Sequence, residues 1–184
     1  MIYVALLRGI NVGGNNKINM KQLQVAFEDA GMTQVTTYIN SGNIIFASEQ
    51  LPHTELAVRL ERAIQTDFGL KIPVMVRSLP EMTAVIDALP ETWTNDDSMK
   101  SDVLFLWDEI DDRSILEQLP LKPDMGTVHY ISGAVLVSVP RENVVRSGMN
   151  KLVGSRLYRY MTVRNVNTTR QIFRLMQAAD EHKL

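Results

Sequence analysis

Between an apolar run at Ile2–Leu7 and helical periodicity that starts at Met20, the chain reads Arg8-Gly9-Ile10-Asn11-Val12-Gly13-Gly14-Asn15-Asn16-Lys17. Glycine and asparagine tolerate positive φ, so a loop rich in both can turn several backbone N–H groups toward one point, and Arg8 and Lys17 add positive charge. Residue types and spacing therefore describe an anion-binding connection. Gly9 and Gly14 have the spacing of the two glycines in a P-loop, yet Asn15 and Asn16 stand where that motif needs Lys and then Ser or Thr. The phosphate lysine, the magnesium-binding hydroxyl and the dinucleotide fingerprint are all missing, which argues against a nucleoside triphosphatase or a Rossmann site. The plainer alternative is a wide turn in which Arg8 packs or pairs locally.

A second polar constellation is Thr162-Val163-Arg164-Asn165-Val166-Asn167-Thr168. An arginine fork, two amide side chains and the free N–H groups of a helix predicted to follow Thr168 suit a carboxylate or phosphate. Asn167 and Thr168 are also the residue types that cap a helix, and capping alone would account for them. Lys151, Arg156, Arg159 and Tyr160 lie on or beside a helix predicted over Met149–Tyr160, facing either the same cleft or water.

Other chemistries have little support. His53, His129 and His182 lack metal-ligand spacing. The run Asp108, Glu109, Asp111, Asp112 lacks the glycine and terminal glutamate of a calcium loop and reads as capping of a helix start. Ser41 has a turn around it but no histidine partner recognisable in the sequence. The absence of cysteine excludes disulfides, thiolate metal sites and a cysteine nucleophile, and fits a reducing cytoplasm. No metal is expected, and no cofactor is named by any motif.

These residues must be held by secondary structure. Beta-branched and aliphatic runs predict strands near 2–7, 34–39, 43–48 and 72–77. Met20, Leu23, Phe27 and Ala30 mark one helical stripe, and Leu56, Leu60, Ala63, Ile64 and Phe68 mark another. The order strand, helix, strand, strand, helix, strand is the split βαβ, or ferredoxin-like, pattern. Asn19 with Gln22 offers a cap for the first helix. The second half repeats the order: strand Val103–Trp107, helix Ser114–Leu119, strands Val128–Ile131 and Val135–Val139, and helix Met149–Tyr160. Tyr38-Ile39-Asn40-Ser41-Gly42 recurs, one residue shorter, as Tyr130-Ile131-Ser132-Gly133, although any tight hairpin favours such residues. Residues 78–100 read as a linker with an extra helix, begun by the capping box Ser78/Glu81 and stopped at Pro90. A last helix is predicted from Thr168, with Ile172, Leu175, Met176 and Ala179 inward. The fold class expected is α+β: two tandem ferredoxin-like halves with antiparallel sheets, 1–77 and 101–184, the latter carrying the C-terminal helix.

The blocks ALLRGINVGGNNKINM at 5–20, TYINSGNIIF at 37–46 and TVRNVNT at 162–168 closely resemble the signature blocks of a widespread bacterial family, domain of unknown function 1697. The resemblance spans essentially the whole chain and implies tandem ferredoxin-like domains. It implies no catalytic residues. The recurring segments place Arg8, Gly9, Asn11, Gly13 and Gly14 in the first block, Ser41, Gly42 and Asn43 in the second, and Arg164, Asn165, Asn167 and Thr168 in the third. This chain departs at Val166, where the family commonly has tryptophan; an aromatic contact with a ligand at that position would be absent here.

The net charge of −2 hides an asymmetry: residues 78–140 carry twelve acids against three bases, and residues 141–174 carry eight bases against Glu142 alone. The whole-chain balance argues against a nucleic-acid binder while the basic segment keeps that option open, and acidic and basic faces could equally pair with each other or with a second copy. Sheet-face RNA recognition is disfavoured because the third strand reads Gly42-Asn43-Ile44-Ile45-Phe46, with one aromatic where two should stack. The first apolar run, about six residues, is far short of the ~18 of a membrane span. The expectation is a cytoplasmic protein, without a membrane partner, whose small anionic or phosphorylated ligand sits in a cleft formed by Arg8–Lys17, Ser41–Asn43 and Arg164–Thr168, with Lys151 nearby. Nucleic-acid or protein interaction through 141–174 is the alternative, and the oligomeric state is open.

Overall fold

A computed structural model describes residues 1–182. Two compact units divide the chain: residues 1–82 with the last helix from Ile172 onward, and residues 83–171. The first unit contains β1 (Ile2–Leu7), α1 (Met20–Asp29), β2 (Thr33–Tyr38), β3 (Asn43–Ala47), α2 (His53–Phe68) and β4 (Val74–Ser78), followed by α3 (Leu79–Ala88). Its sheet runs β2-β3-β1-β4, antiparallel throughout, which is the order of a ferredoxin-like fold.

Central strand β1 is buried at every position because residues on both faces are apolar. Tyr3, Ala5 and Leu7 point toward the helices and join Leu23 and Phe27 of α1 and Leu56, Leu60 and Ile64 of α2 in one core. Tyr3 stacks on Phe46 at 5.6 Å between ring centroids, and Phe27 meets Phe46 edge-on at 6.2 Å. The predicted caps form: Asn19 Oδ1 accepts from the N–H groups of Lys21 and Gln22 at 2.9 and 3.2 Å. The Ser78 N–H and hydroxyl both donate to Glu81 Oε2 at 2.7 Å, and Ser78 Oγ accepts from the Glu81 N–H at 3.4 Å.

The second unit repeats the plan with β5 (Met99–Leu106), α4 (Ile115–Gln118), β6 (Thr127–Ile131), β7 (Ala134–Pro140), α5 (Val144–Ser147) and β8 (Met161–Asn165); α6 (Val166–Glu181) follows in the chain, its first turns in the second unit and its residues from Ile172 in the first. The sheet order β6-β7-β5-β8 matches the first, so the protein is two tandem ferredoxin-like halves. The duplication reaches individual residues. Arg77 lies opposite Val4 and Arg164 opposite Val103 in equivalent strand pairs, and each guanidinium donates to the carbonyl of the preceding valine, at 3.0 and 2.9 Å. The residue after each arginine then caps a helix: Ser78 caps α3, and Asn165 Oδ1 accepts from the Thr168 N–H at 2.8 Å. The extra helix at 79–88 is thus the counterpart of α6, a seventh element of each repeat.

Three expectations for the second half are corrected. The helix expected over Met149–Tyr160 is a series of tight turns, with the single turn α5 before 3₁₀ turns at Met149–Lys151 and Arg156–Tyr160. Gly148 adopts φ +88 and Gly154 follows six residues later, so no stretch between them is long enough to propagate a helix. Residues 161–165, read as a polar approach to a helix, form edge strand β8. Helix α6 starts at Val166 and takes its cap from Asn165, not from Thr168.

The acidic run meets the capping expectation at Asp112, whose Oδ1 accepts from the Ser114 N–H at 2.8 Å just ahead of α4, and departs from it at Asp111. Asp108–Ile110 is a 3₁₀ turn, and Asp111 reaches across to the β6–β7 turn, accepting from the Gly133 N–H at 2.8 Å and the Tyr130 hydroxyl at 3.0 Å. Burial, reinforced by that hydrogen bond and by the charges of Asp111 and Asp112, pushes the Tyr130 phenol above its ordinary value of 10. Folded protein holds that proton more tightly than the unfolded chain does. This contribution is therefore complete below pH 10 and is lost as pH rises through the folded value. Asp111→Ala leaves the Gly133 N–H and the Tyr130 hydroxyl, and the exposed Ser132 hydroxyl at 3.4 Å, without their acceptor and is expected to cost about 2–3 kcal/mol, read by urea unfolding at pH 7; a loss below about 0.5 kcal/mol would show that water replaces the carboxylate.

Candidate functional site

The Arg8–Lys17 loop is pinned at its start. The Leu7 N–H donates to Gly42 O at 2.8 Å and the Arg8 N–H to Pro73 O at 3.1 Å, so the β2–β3 turn and the entry to β4 bracket the point where the chain leaves β1. Ile10 and Ile18 are buried and anchor the two ends of the loop in the core. Between them Gly9, Asn11, Gly13, Gly14 and Asn16 all adopt positive φ, as the Gly/Asn composition anticipates.

Asn11 is the internal brace. Its side-chain oxygen accepts from the Ile18 N–H at 2.9 Å, while Nδ2 donates to Ile18 O at 3.2 Å and to Asn40 O, in the β2–β3 turn, at 2.8 Å. Asn16 Nδ2 closes the loop onto Gly9 O at 2.9 Å. Two of the three sequence blocks therefore meet within the first unit, around an open polar depression of about 400 Å³ lined by Asn11, Gly14, Lys17, Ile18, Asn19, Met20 and Asn40. Residues 12–17 are exposed. The backbone N–H groups of Gly13, Gly14 and Lys17 have no protein acceptor among the described residues. Among those residues, no carboxylate or imidazole lines the depression.

Other candidates in this unit have local tasks. Arg8 is half-buried at the base of the loop. Asn43 is buried, and its amide donates to Tyr38 O and to Ser41 Oγ, both at 3.0 Å, which locks the turn. Sequence reasoning misses Asn19 and Asn40 as lining residues. The signal for Asn40 is its place in the Thr37-to-Phe46 block beside Ser41, whereas Asn19 reads only as a cap.

Lys151 and Arg164–Thr168 belong to the second unit. Lys151 is exposed at the end of a 3₁₀ turn. Arg164 is buried, with one guanidinium nitrogen donating to Thr162 Oγ1 and Val163 O, each at 2.9 Å. Burial pulls this guanidinium down to about 10, against a smaller upward pull from Tyr158, so it remains charged at neutral pH. Asn165 caps α6, Thr168 is buried, and Asn167 Nδ2 donates to Asn95 O at 2.9 Å. Val166, the position at issue for an aromatic contact with a ligand, is fully buried at the start of α6 and serves packing.

Among the described residues no group of three or more His, Asp or Glu is arranged to hold a metal ion, and no helix is long and apolar enough to cross a membrane. His53 lies 3.5 Å from Glu81 and edge-on to Tyr3, and His129 stacks on Trp93 at 5.5 Å.

Comparison with known proteins agrees with this architecture. No curated protein matches the chain. A solved structure described as that of the conserved bacterial protein SP0830 from Streptococcus pneumoniae is similar, with a TM-score of 0.80 and 29% identity over 95% of this chain and 98% of that one. The sequence description of the protein of unknown function DUF1697 matches residues 1–136, which include the whole loop and hairpin turn of the depression. The chain belongs to the DUF1697 family.

Proposed function

We propose that the first unit binds a small oxyanion, the phosphate or carboxylate of a polar metabolite, in the depression between the Arg8–Lys17 loop and the Asn40–Asn43 turn. The observation that carries this reading is the donor set. Among the described residues the N–H groups of Gly14 and Lys17, which line the depression, and of the adjoining Gly13 lack protein acceptors, Lys17 brings a positive charge to the lining, and no carboxylate there repels an anion. Asn11 keeps these donors in place by tying the loop to the turn. With no carboxylate or imidazole in the described lining to move a proton, the depression is suited to recognition.

Inorganic phosphate and nucleoside monophosphates are the probes. Lys17 is exposed and its ammonium makes no bond among the described residues, so Lys17→Ala should leave the melting temperature within about 1 °C. The same change should weaken phosphate binding about tenfold in calorimetry, the value of one charge-assisted hydrogen bond. An affinity unchanged by Lys17→Ala, or no binding of any phosphate at millimolar concentration, would refute the reading.

A further inference from the structure

We infer that the outer surface of residues 144–160 is a docking surface for the phosphate backbone of a single-stranded nucleic acid. The structure sorts the seven bases of the segment that lie in the second unit into two kinds of residue. Arg141 donates to Asp96 O and Asn95 Oδ1, Arg170 to Trp93 O and Pro90 O, and Arg164 is buried; these three hold the fold together. Arg146, Lys151, Arg156 and Arg159 are exposed, and none of them has an acidic partner among the described residues.

These four cations project from a segment whose other side is anchored. Val144, Met149, Leu152, Leu157 and Tyr158 pack into the core of the second unit, which leaves the bases facing outward. Val145 and Val153, 77% and 65% exposed, lie among them and offer apolar contact to sugars or bases. Successive bases five residues apart are no more than about 17 Å from one another along the chain, a span covering two or three phosphates of a strand. Three of the four are arginines, which grip phosphate with two parallel donors. The Arg159 guanidinium lies 4.7 Å from the centre of the Tyr160 ring, an arrangement that also accepts a stacked base. A single strand fits better than a duplex because α5 has only four residues, too short to enter a major groove.

The test is fluorescence anisotropy of a labelled 20-nucleotide oligo(dT) with the whole protein. Four phosphate contacts predict a log–log salt slope of about −3, which weakens binding roughly 50-fold between 50 and 200 mM salt. The triple variant Arg146→Glu, Lys151→Glu, Arg156→Glu should lose at least tenfold in affinity at 50 mM salt, while a matched triple in the first unit, Lys21→Glu, Arg62→Glu, Lys71→Glu, should lose less than threefold. Equal losses from both triples would mean that only net charge matters and would overturn the assignment. So would absence of binding at 50 mM salt, tighter binding of a 20-base-pair duplex, or selective binding of anionic vesicles in place of the strand.

Discussion

Gly148→Ala is expected to destabilise the protein by about 4 kcal/mol and to lower its melting temperature by about 12 °C. Gly148 has φ +88, where an L side chain is strained by about 1–2 kcal/mol. The larger part comes from contact, because a Cβ at this position would overlap the carbonyl oxygen of Pro120. That oxygen cannot rotate away as a long side chain could. The two backbones are held together by the Lys122 N–H, which donates to Ser147 O at 2.8 Å, and the buried Ser147 stiffens its own turn, with Oγ donating to Val144 O and accepting from the Met149 N–H. Relief of the overlap would pull these bonds apart in the segment that replaces a regular helix in the second unit. Urea unfolding measures the effect, and a loss below about 1 kcal/mol would show that the two backbones separate freely.

Gly42→Ala is expected to cost about 3 kcal/mol and to displace the loop of the candidate site. The added Cβ would lie 2.7 Å from Leu7 Cβ and 2.9 Å from Ile10 Cδ1, at φ +82. Leu7 and Ile10 are both fully buried, so neither moves without opening the core that supports the loop. Gly42 also supplies the carbonyl that receives the Leu7 N–H, and Asn40 two residues earlier carries the carbonyl that receives Asn11. Gly13→Ala is the informative contrast. It has positive φ but nothing within 4 Å of an added Cβ, so it should cost only about 1 kcal/mol. If both substitutions abolish anion binding while only Gly42→Ala markedly lowers the melting temperature, Gly13 is retained for the approach of a ligand. Equal melting temperatures for the two variants would disprove the steric account of Gly42.

The first half of the fold was legible because its signals are local and agree. The α1 stripe and the Asn19 cap coincide at the same boundary, and β1 and β3 are apolar along almost their whole length. The second half was harder to read for a physical reason. Met149, Leu152 and Leu157 keep an inward-facing apolar spacing, so periodicity predicts a helix, while Gly148 and Gly154 interrupt the backbone without disturbing the pattern. Strand β8 contains Thr162 and Arg164, both polar and both buried, and polarity disguised it as a loop.

The candidate site divides along the same line. Positive φ in the Arg8–Lys17 loop is a property of its glycines and asparagines, so the loop's conformation could be anticipated from composition alone. The meeting of Asn11 with Asn40 could not, since it depends on antiparallel pairing of β1 with β3 and on the turn that precedes β3. Likewise, eight bases in residues 141–174 looked alike as a string of charges. Register places Arg164 opposite Val103 in a buried sheet position, and the carbonyls of residues 90–96 take up Arg141 and Arg170. Local backbone preference belongs to each residue and survives in the primary structure. Burial and hydrogen-bond partnership are relations between distant residues, and only strand pairing and packing set them.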